Sequence, residues 1–142
     1  IDYYGRGPWE NYADRKDGAL VGRYRQSVDE QFYPYIRPQE TGTKSDVRRW
    51  RQTDIAGRGV EITASAPFSA SALRYAQEAL DEGLTKRQGH SQEIVPDAAV
   101  WFCVEGAQAG LGCIDSWGSL PQPAHRIPYA DRTFRFRIEP LK

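Results

Sequence analysis

Nine residues, Gly110 to Gly118, read GLGCIDSWG and set a tryptophan directly behind an acid and a hydroxyl in a loop studded with glycine. Such a group of side chains can hold a sugar. The indole face packs on the apolar C–H face of a pyranose, Asp115 and Ser116 can bond its hydroxyls, and the glycines let the backbone take the turns that present the ring. Trp117, Asp115 and Ser116 are therefore the candidate substrate-binding residues. The competing use of the same indole is as a lid folded back over its own sheet.

No convincing catalytic set accompanies them. Retaining hydrolysis of a glycosidic bond needs two carboxylates about 5 Å apart, one as acid and base and one as nucleophile. The acids in distinctive surroundings are Glu10, Asp14, Glu40 and Asp115, and no two form such a pair. Glu10 and Asp14 stand beside Arg6, Arg15 and the run Gly5-Arg6-Gly7-Pro8, where they are expected to fix loop geometry by hydrogen bonds and ion pairs. Glu40, between stiffening prolines and Gly42, has a better chance of a functional contact. His90 and His125 have no Cys or acid at ligand spacing, so no metal site is expected in this chain. Neither a Ser/His/Asp order nor a GxxxxGK(S/T) phosphate loop is present.

The elements that must position these residues are strands. Val60, Ile62 and Ala64 alternate with Glu61, Thr63 and Ser65, and Phe134, Phe136 and Ile138 alternate with Arg135, Arg137 and Glu139, the period of half-buried antiparallel strands. Leu20 to Arg25 and Val47 to Gln52 read as two more, bounded by Asp17-Gly18 and Thr41-Gly42. Ala98 to Val104 is apolar on both faces and suits a central strand covered on both sides. Within Phe68 to Gly83, propensity alone makes Ser71 to Glu82 a helix capped by Ser71 and stopped by Gly83. Trp50, among arginines that could stack on it, Trp101 and Trp9 are expected to serve packing. Pro121 to Pro128 reads as a surface loop.

Composition bounds the rest. The chain has 142 residues, one domain's worth, with 39% apolar and 27% charged residues and a formal net charge of zero. That balance argues against nucleic acid as a partner. No apolar run approaches the ~20 residues of a bilayer span, and there is no signal-peptide pattern. The sequence begins Ile1-Asp2 and contains no Met, so its true amino terminus is expected upstream and the compartment is left open. If Glu105 to Gln108 makes a hairpin turn, Cys103 faces a residue near Gly110 and Cys113 is out of register for a bridge, so two free thiols are expected.

Two further segments, YYGRGPWENYADR from Tyr3 to Arg15 and YPYIRPQETGTKSDVRRW from Tyr33 to Trp50, precede the IDSWG loop. In this order and spacing the three resemble the carboxyl-terminal sandwich domain of family 2 glycoside hydrolases of the β-galactosidase type. The resemblance covers almost the whole chain. It implies a mainly β fold: an antiparallel β-sandwich, half of a galactose-mutarotase-like supersandwich, with one short helix. The corresponding family domain is longer, so residues 1–142 read as its second half. It also implies that Phe68 to Tyr75 continues as a strand and only about Ala76 to Glu82 turns helical, and that is the expected structure.

For function the resemblance implies a fragment of an enzyme that removes terminal non-reducing β-D-galactose. Both catalytic glutamates, the Mg2+ and possibly the Na+ of that family belong to a separate (β/α)8 barrel, so the isolated fragment is expected to be inactive. Trp117 corresponds to the tryptophan that reaches the barrel's pocket as an aromatic platform, with Asp115 and Ser116 matching beside it. Cys113 and Ile114 depart from the pattern, standing where glycine and an acid are common. The expected partners are a β-galactoside, the remaining domains of the parent chain and further copies of it. Two alternatives stay open: an independent carbohydrate-binding module, and a sugar epimerase of the mutarotase type, disfavoured because His90 and His125 lie outside the three motifs.

Overall fold

The computed structural model describes residues 1–81, 83–84, 89–112, 114–115 and 118–142. They form a mainly β fold, as expected: six antiparallel strands in one sheet, consistent with a β-sandwich-like domain. The strands are β1 (Asp2–Gly7), β2 (Leu20–Arg25), β3 (Lys44–Thr53), β4 (Gly59–Leu73), β5 (Trp101–Glu105) and β6 (Phe136–Leu141), with a single turn of helix, α1 (Gln77–Leu80). The order is β2-β1-β3-β4-β5, and β6 pairs with the first part of β4 while β5 pairs with its last part.

Period-two alternation sorts the side chains onto two unlike faces. Across one row the partners are Tyr24, Tyr3, Trp50, Ile62 and Ile138; across the next they are Arg25, Asp2, Arg51, Glu61 and Glu139. The first row makes the core, in which Tyr3, Val47, Trp50, Ile62, Phe68, Ala70 and Ala72 pack together. Trp50 stacks on Tyr3 with ring centroids 5.3 Å apart and meets Phe102 at 5.6 Å. The second row is a charged face, where Arg51 pairs with Glu61 at 2.9 Å and Arg49 bridges Asp2 and Glu61. The core row runs out at β6, where Phe136 and Ile138 are exposed.

Several expectations need correction. The arginines flanking Trp50 do not stack on it, because alternation sends Arg49 and Arg51 to the opposite face. Ala98 to Val104 is not a central strand: the strand is Trp101–Glu105, it lies at the sheet edge, and Trp101 is exposed, its indole N–H donating to Asp97 at 3.0 Å. Among the described residues after Glu105 none forms a return strand on β5, which is paired by β4. Cys103 is a free thiol; Cys113 lies outside the described residues. The two strands expected at Val60 to Ser65 and Phe68 to Tyr75 are one, β4. Pro67 is tolerated inside it because it falls where the register with β3 slips, between the Arg49–Thr63 and Val47–Phe68 pairs, so its missing N–H costs no ladder bond. Strand β1, read as a turn-rich loop, is the element the sequence concealed.

Candidate functional site

The three sequence motifs meet in space, and three side chains of the first motif join them. Beyond β1 the chain leaves the sheet at Pro8 and runs through Trp9-Glu10-Asn11-Tyr12-Ala13-Asp14. Glu10 accepts hydrogen bonds from the Thr41 hydroxyl at 3.0 Å and the Gly42 amide at 2.8 Å, and its other oxygen accepts from the Tyr35 hydroxyl. Asn11 is buried; its side-chain oxygen accepts the Ser45 amide at 3.0 Å and the Ser45 hydroxyl, while its amide donates to the Trp9 carbonyl at 2.9 Å. These bonds weld the first motif to the second.

Asp14 makes the link to the third. Its carboxylate accepts the Leu111 amide at 3.0 Å and the Gly112 amide at 2.9 Å, across 97 and 98 residues of sequence. Burial raises the Asp14 carboxyl, but the Gly112 and Leu111 amides outweigh it and hold the acid below its usual range. The glycines of the loop are required by this clip. A Cβ at Gly110 would stand 2.5 Å from the Asp14 carboxylate, and Gly112 has a φ of +84°, with the Ser119 carbonyl 2.9 Å from where its Cβ would be. The Gly110 amide donates to the His125 carbonyl at 2.8 Å, and Asp115 closes the far side by accepting the Ser119 amide at 3.3 Å and the Ser119 hydroxyl.

The loop expected to carry the sugar contacts is thus anchored at both ends by described residues. Asp115 serves this closure. Trp117 and Ser116 lie outside the described residues. Glu10 and Asp14 fix loop geometry as expected, but through backbone amides and hydroxyls and not through Arg6 or Arg15. Arg6 instead holds Asp46 at 2.6 Å and the Ala19 carbonyl at 2.8 Å. Asn11, Tyr35 and Thr41 were not singled out from sequence; the signal available was a polar Asn between Glu10 and Tyr12, a residue type that is buried only when it is bonded.

Glu40 accepts the Thr43 hydroxyl at 2.7 Å, and burial pushes its carboxyl up. Glu105, at the end of β5, is also pushed up by burial and then by the charge of Glu40, and its Oε2 is buried without a hydrogen-bond partner among the described residues. A carboxylate in that setting destabilises the fold when ionised. The destabilisation is absent below the ordinary glutamate value of 4.5 and grows as pH rises through the raised folded value. Glu105→Gln is therefore expected to raise the melting temperature at about pH 7 and to leave it unchanged near pH 4. Thermal denaturation at the two pH values checks it; equal melting curves at neutral pH would contradict it.

His90 Nδ1 lies 3.1 Å from the Ile36 carbonyl, and among the described residues no group of three His, Cys, Asp or Glu side chains is placed to hold a metal ion. Beside the Glu10 junction a cavity of about 380 Å3 is lined by Trp9, Gln31, Tyr33, Tyr35 and Lys44, among others.

The chain has relatives among known proteins. The model of the family described as beta galactosidase small chain matches residues 1–138. The chain belongs to the beta-galactosidase small chain family. It is similar to beta-galactosidases of Streptococcus thermophilus (36% identical over 99% of this chain), Priestia megaterium (37% over 99%) and Lactobacillus delbrueckii subsp. bulgaricus (38% over 98%). It spans only 14%, 13% and 13% of those proteins' lengths. The beta-galactosidase small chain match takes in the Glu10 junction, the Asp14 clip and the whole of GLGCIDSWG, so the family pattern and the hydrogen-bonded site are one stretch of structure. No helix among the described residues is long and apolar enough to cross a membrane.

Proposed function

We propose that this chain is the carboxyl-terminal part of a family 2 β-galactosidase, the second half of its supersandwich domain, in a parent enzyme that hydrolyses terminal non-reducing β-D-galactose residues with retention. Its task there is to supply scaffold and one aromatic platform. Trp117 stacks on the sugar or its aglycone, and Asp115 and Ser116 contribute polar contacts at the lip. The catalytic carboxylates, the Mg2+ and any Na+ are held by a (β/α)8 barrel elsewhere in the parent. The exposed Phe136 and Ile138 offer apolar surface to the remaining domains or to another copy of the enzyme.

The observation that supports this most strongly is the Asp14 clip. Two amide hydrogen bonds from Leu111 and Gly112 to one carboxylate hold the root of the loop against the rigid junction of β1 and β3. A loop used only as a cover needs no such anchor, whereas a platform that must meet a sugar in a pocket built by another domain does, because a displacement of about 1 Å in a positioning group costs large factors in rate.

The test of the division of labour is a chromogenic assay. The purified 142-residue chain is expected to release no aryl group from an aryl β-galactoside above the uncatalysed rate, because the two carboxylates that retention needs are assigned in this proposal to the barrel. Turnover that survives repurification and disappears in Glu40→Gln or Asp115→Asn would overturn the proposal.

A further inference from the structure

The cavity beside the Glu10 junction has the chemistry of a binding site of its own. At about 380 Å3 it falls in the size range of small-molecule pockets. Its mouth is aromatic: Trp9 is 73% exposed and Tyr33 is 54% exposed, an unusual presentation of two large rings beside one opening. Its depth is polar. Gln31 is 2% exposed, its amide donates to Gln26 Oε1 at 2.8 Å, and its own Oε1 is buried with no hydrogen-bond partner among the described residues. Lys44, also 2% exposed, gives one N–H to the Gly42 carbonyl at 3.0 Å. Burial pushes the Lys44 ammonium down to about 8, so it remains a cation at neutral pH.

These features select a ligand. A buried amide oxygen without a donor is costly, and a ligand O–H relieves it. The Lys44 ammonium asks for an oxygen acceptor. The indole of Trp9 and the ring of Tyr33 ask for an apolar face. Arg15 and Lys44 are matched in the lining by Glu10 and Glu30, so neither an anion nor a cation is favoured. A hydroxyl is both donor and acceptor, and a sugar ring carries several around an apolar C–H face. An aliphatic or purely aromatic ligand would leave Gln31 unpaired.

We propose that this cavity binds one neutral pyranose ring, stacked at Trp9 and Tyr33 and bonded through its hydroxyls to Gln31 Oε1 and Lys44 Nζ. The proposal does not depend on the role given to Trp117. With one ring and few hydrogen bonds, the affinity is weak, on the order of a millimolar Kd.

The experiment is an NMR titration of the 142-residue chain with methyl β-D-galactopyranoside, following the Trp9 indole N–H and the Gln31 side-chain amide. Saturable shifts are expected at both. Trp9→Ala, at an exposed position that folding does not need, is expected to weaken binding about fivefold or more, and Gln31→Leu likewise, while Ile55→Ala, exposed and outside the cavity lining, leaves it intact. Absence of saturable shifts, or equal affinity in the wild-type chain and Trp9→Ala, overturns the proposal. Crystals of the full-length parent soaked in the same glycoside give the second measurement. A ring over Trp9 with a hydroxyl on Gln31 Oε1 supports the site; a cavity that holds only water, or is filled by another segment of the parent, overturns it.

Discussion

Trp50→Ala is expected to cost about 3–5 kcal/mol of folding stability, a large part of the roughly 5–15 kcal/mol that holds a domain together. The indole is fully buried in the middle of β3, between Tyr3 on β1 and Phe102 on β5, and its row partner across the ladder is Ile62. Removing it opens a cavity that three strands cannot close, because each is fixed in register by its own ladder. The indole N–H is buried without a partner among the described residues, so Trp50→Phe keeps much of the packing while deleting an unsatisfied donor. Trp50→Phe is therefore expected to lose much less than Trp50→Ala in urea denaturation. Equal losses would mean that the stacked core row is not what holds the sheet.

The second large effect is on substrate. In the full-length enzyme Trp117→Ala is expected to raise KM for a disaccharide by about 5- to 30-fold, the equivalent of the roughly 1–2 kcal/mol of an aromatic contact on a sugar face. The rate of glycosidic cleavage should fall far less, because the proposal puts the reacting carboxylates elsewhere and a contact made equally in ground and transition states affects binding alone. Trp117→Phe should recover part of the loss. Steady-state kinetics of the three enzymes decides it: an unchanged KM with a lowered melting temperature would make the tryptophan a packing residue.

Much of the sheet was legible because it is written in local alternation. Leu20 to Arg25 is β2 to the residue, and the cores of β3, β4 and β6 follow the same period. What was hidden depends on contacts distant in sequence. Strand β1 contains Gly5 and Gly7, which read as a turn; Gly5 is there because a Cβ would come within 2.9 Å of the Val47 Cα on the neighbouring strand. The apolar run Ala98 to Val104, which holds most of β5, could not reveal that its strand lies at an edge, since apolarity reports burial and not the number of hydrogen-bonded neighbours. The site was legible in part. Glycines and acids marked Gly110 to Gly118, and Glu10 and Asp14 were recognisable as residues that fix geometry. Their partners were not, because Thr41 lies 31 residues from Glu10 and Leu111 lies 97 from Asp14, and only the fold brings them together.

The anchoring of the Trp117 loop by Asp14 is tested most directly by a double-mutant cycle on KM in the full-length enzyme. Asparagine at this position keeps one acceptor oxygen but turns an N–H2 group toward the second amide, so Asp14→Asn breaks one of the two bonds that hold Leu111 and Gly112. If Asp14 acts through the loop, Asp14→Asn raises KM on its own by about 3-fold or more, the equivalent of roughly 0.7 kcal/mol, within the range of one net hydrogen bond. In the Trp117→Ala background it then adds nothing, because the platform it positions is gone. An increase in KM of the same size in both backgrounds, or none in either, would contradict the anchored-platform account.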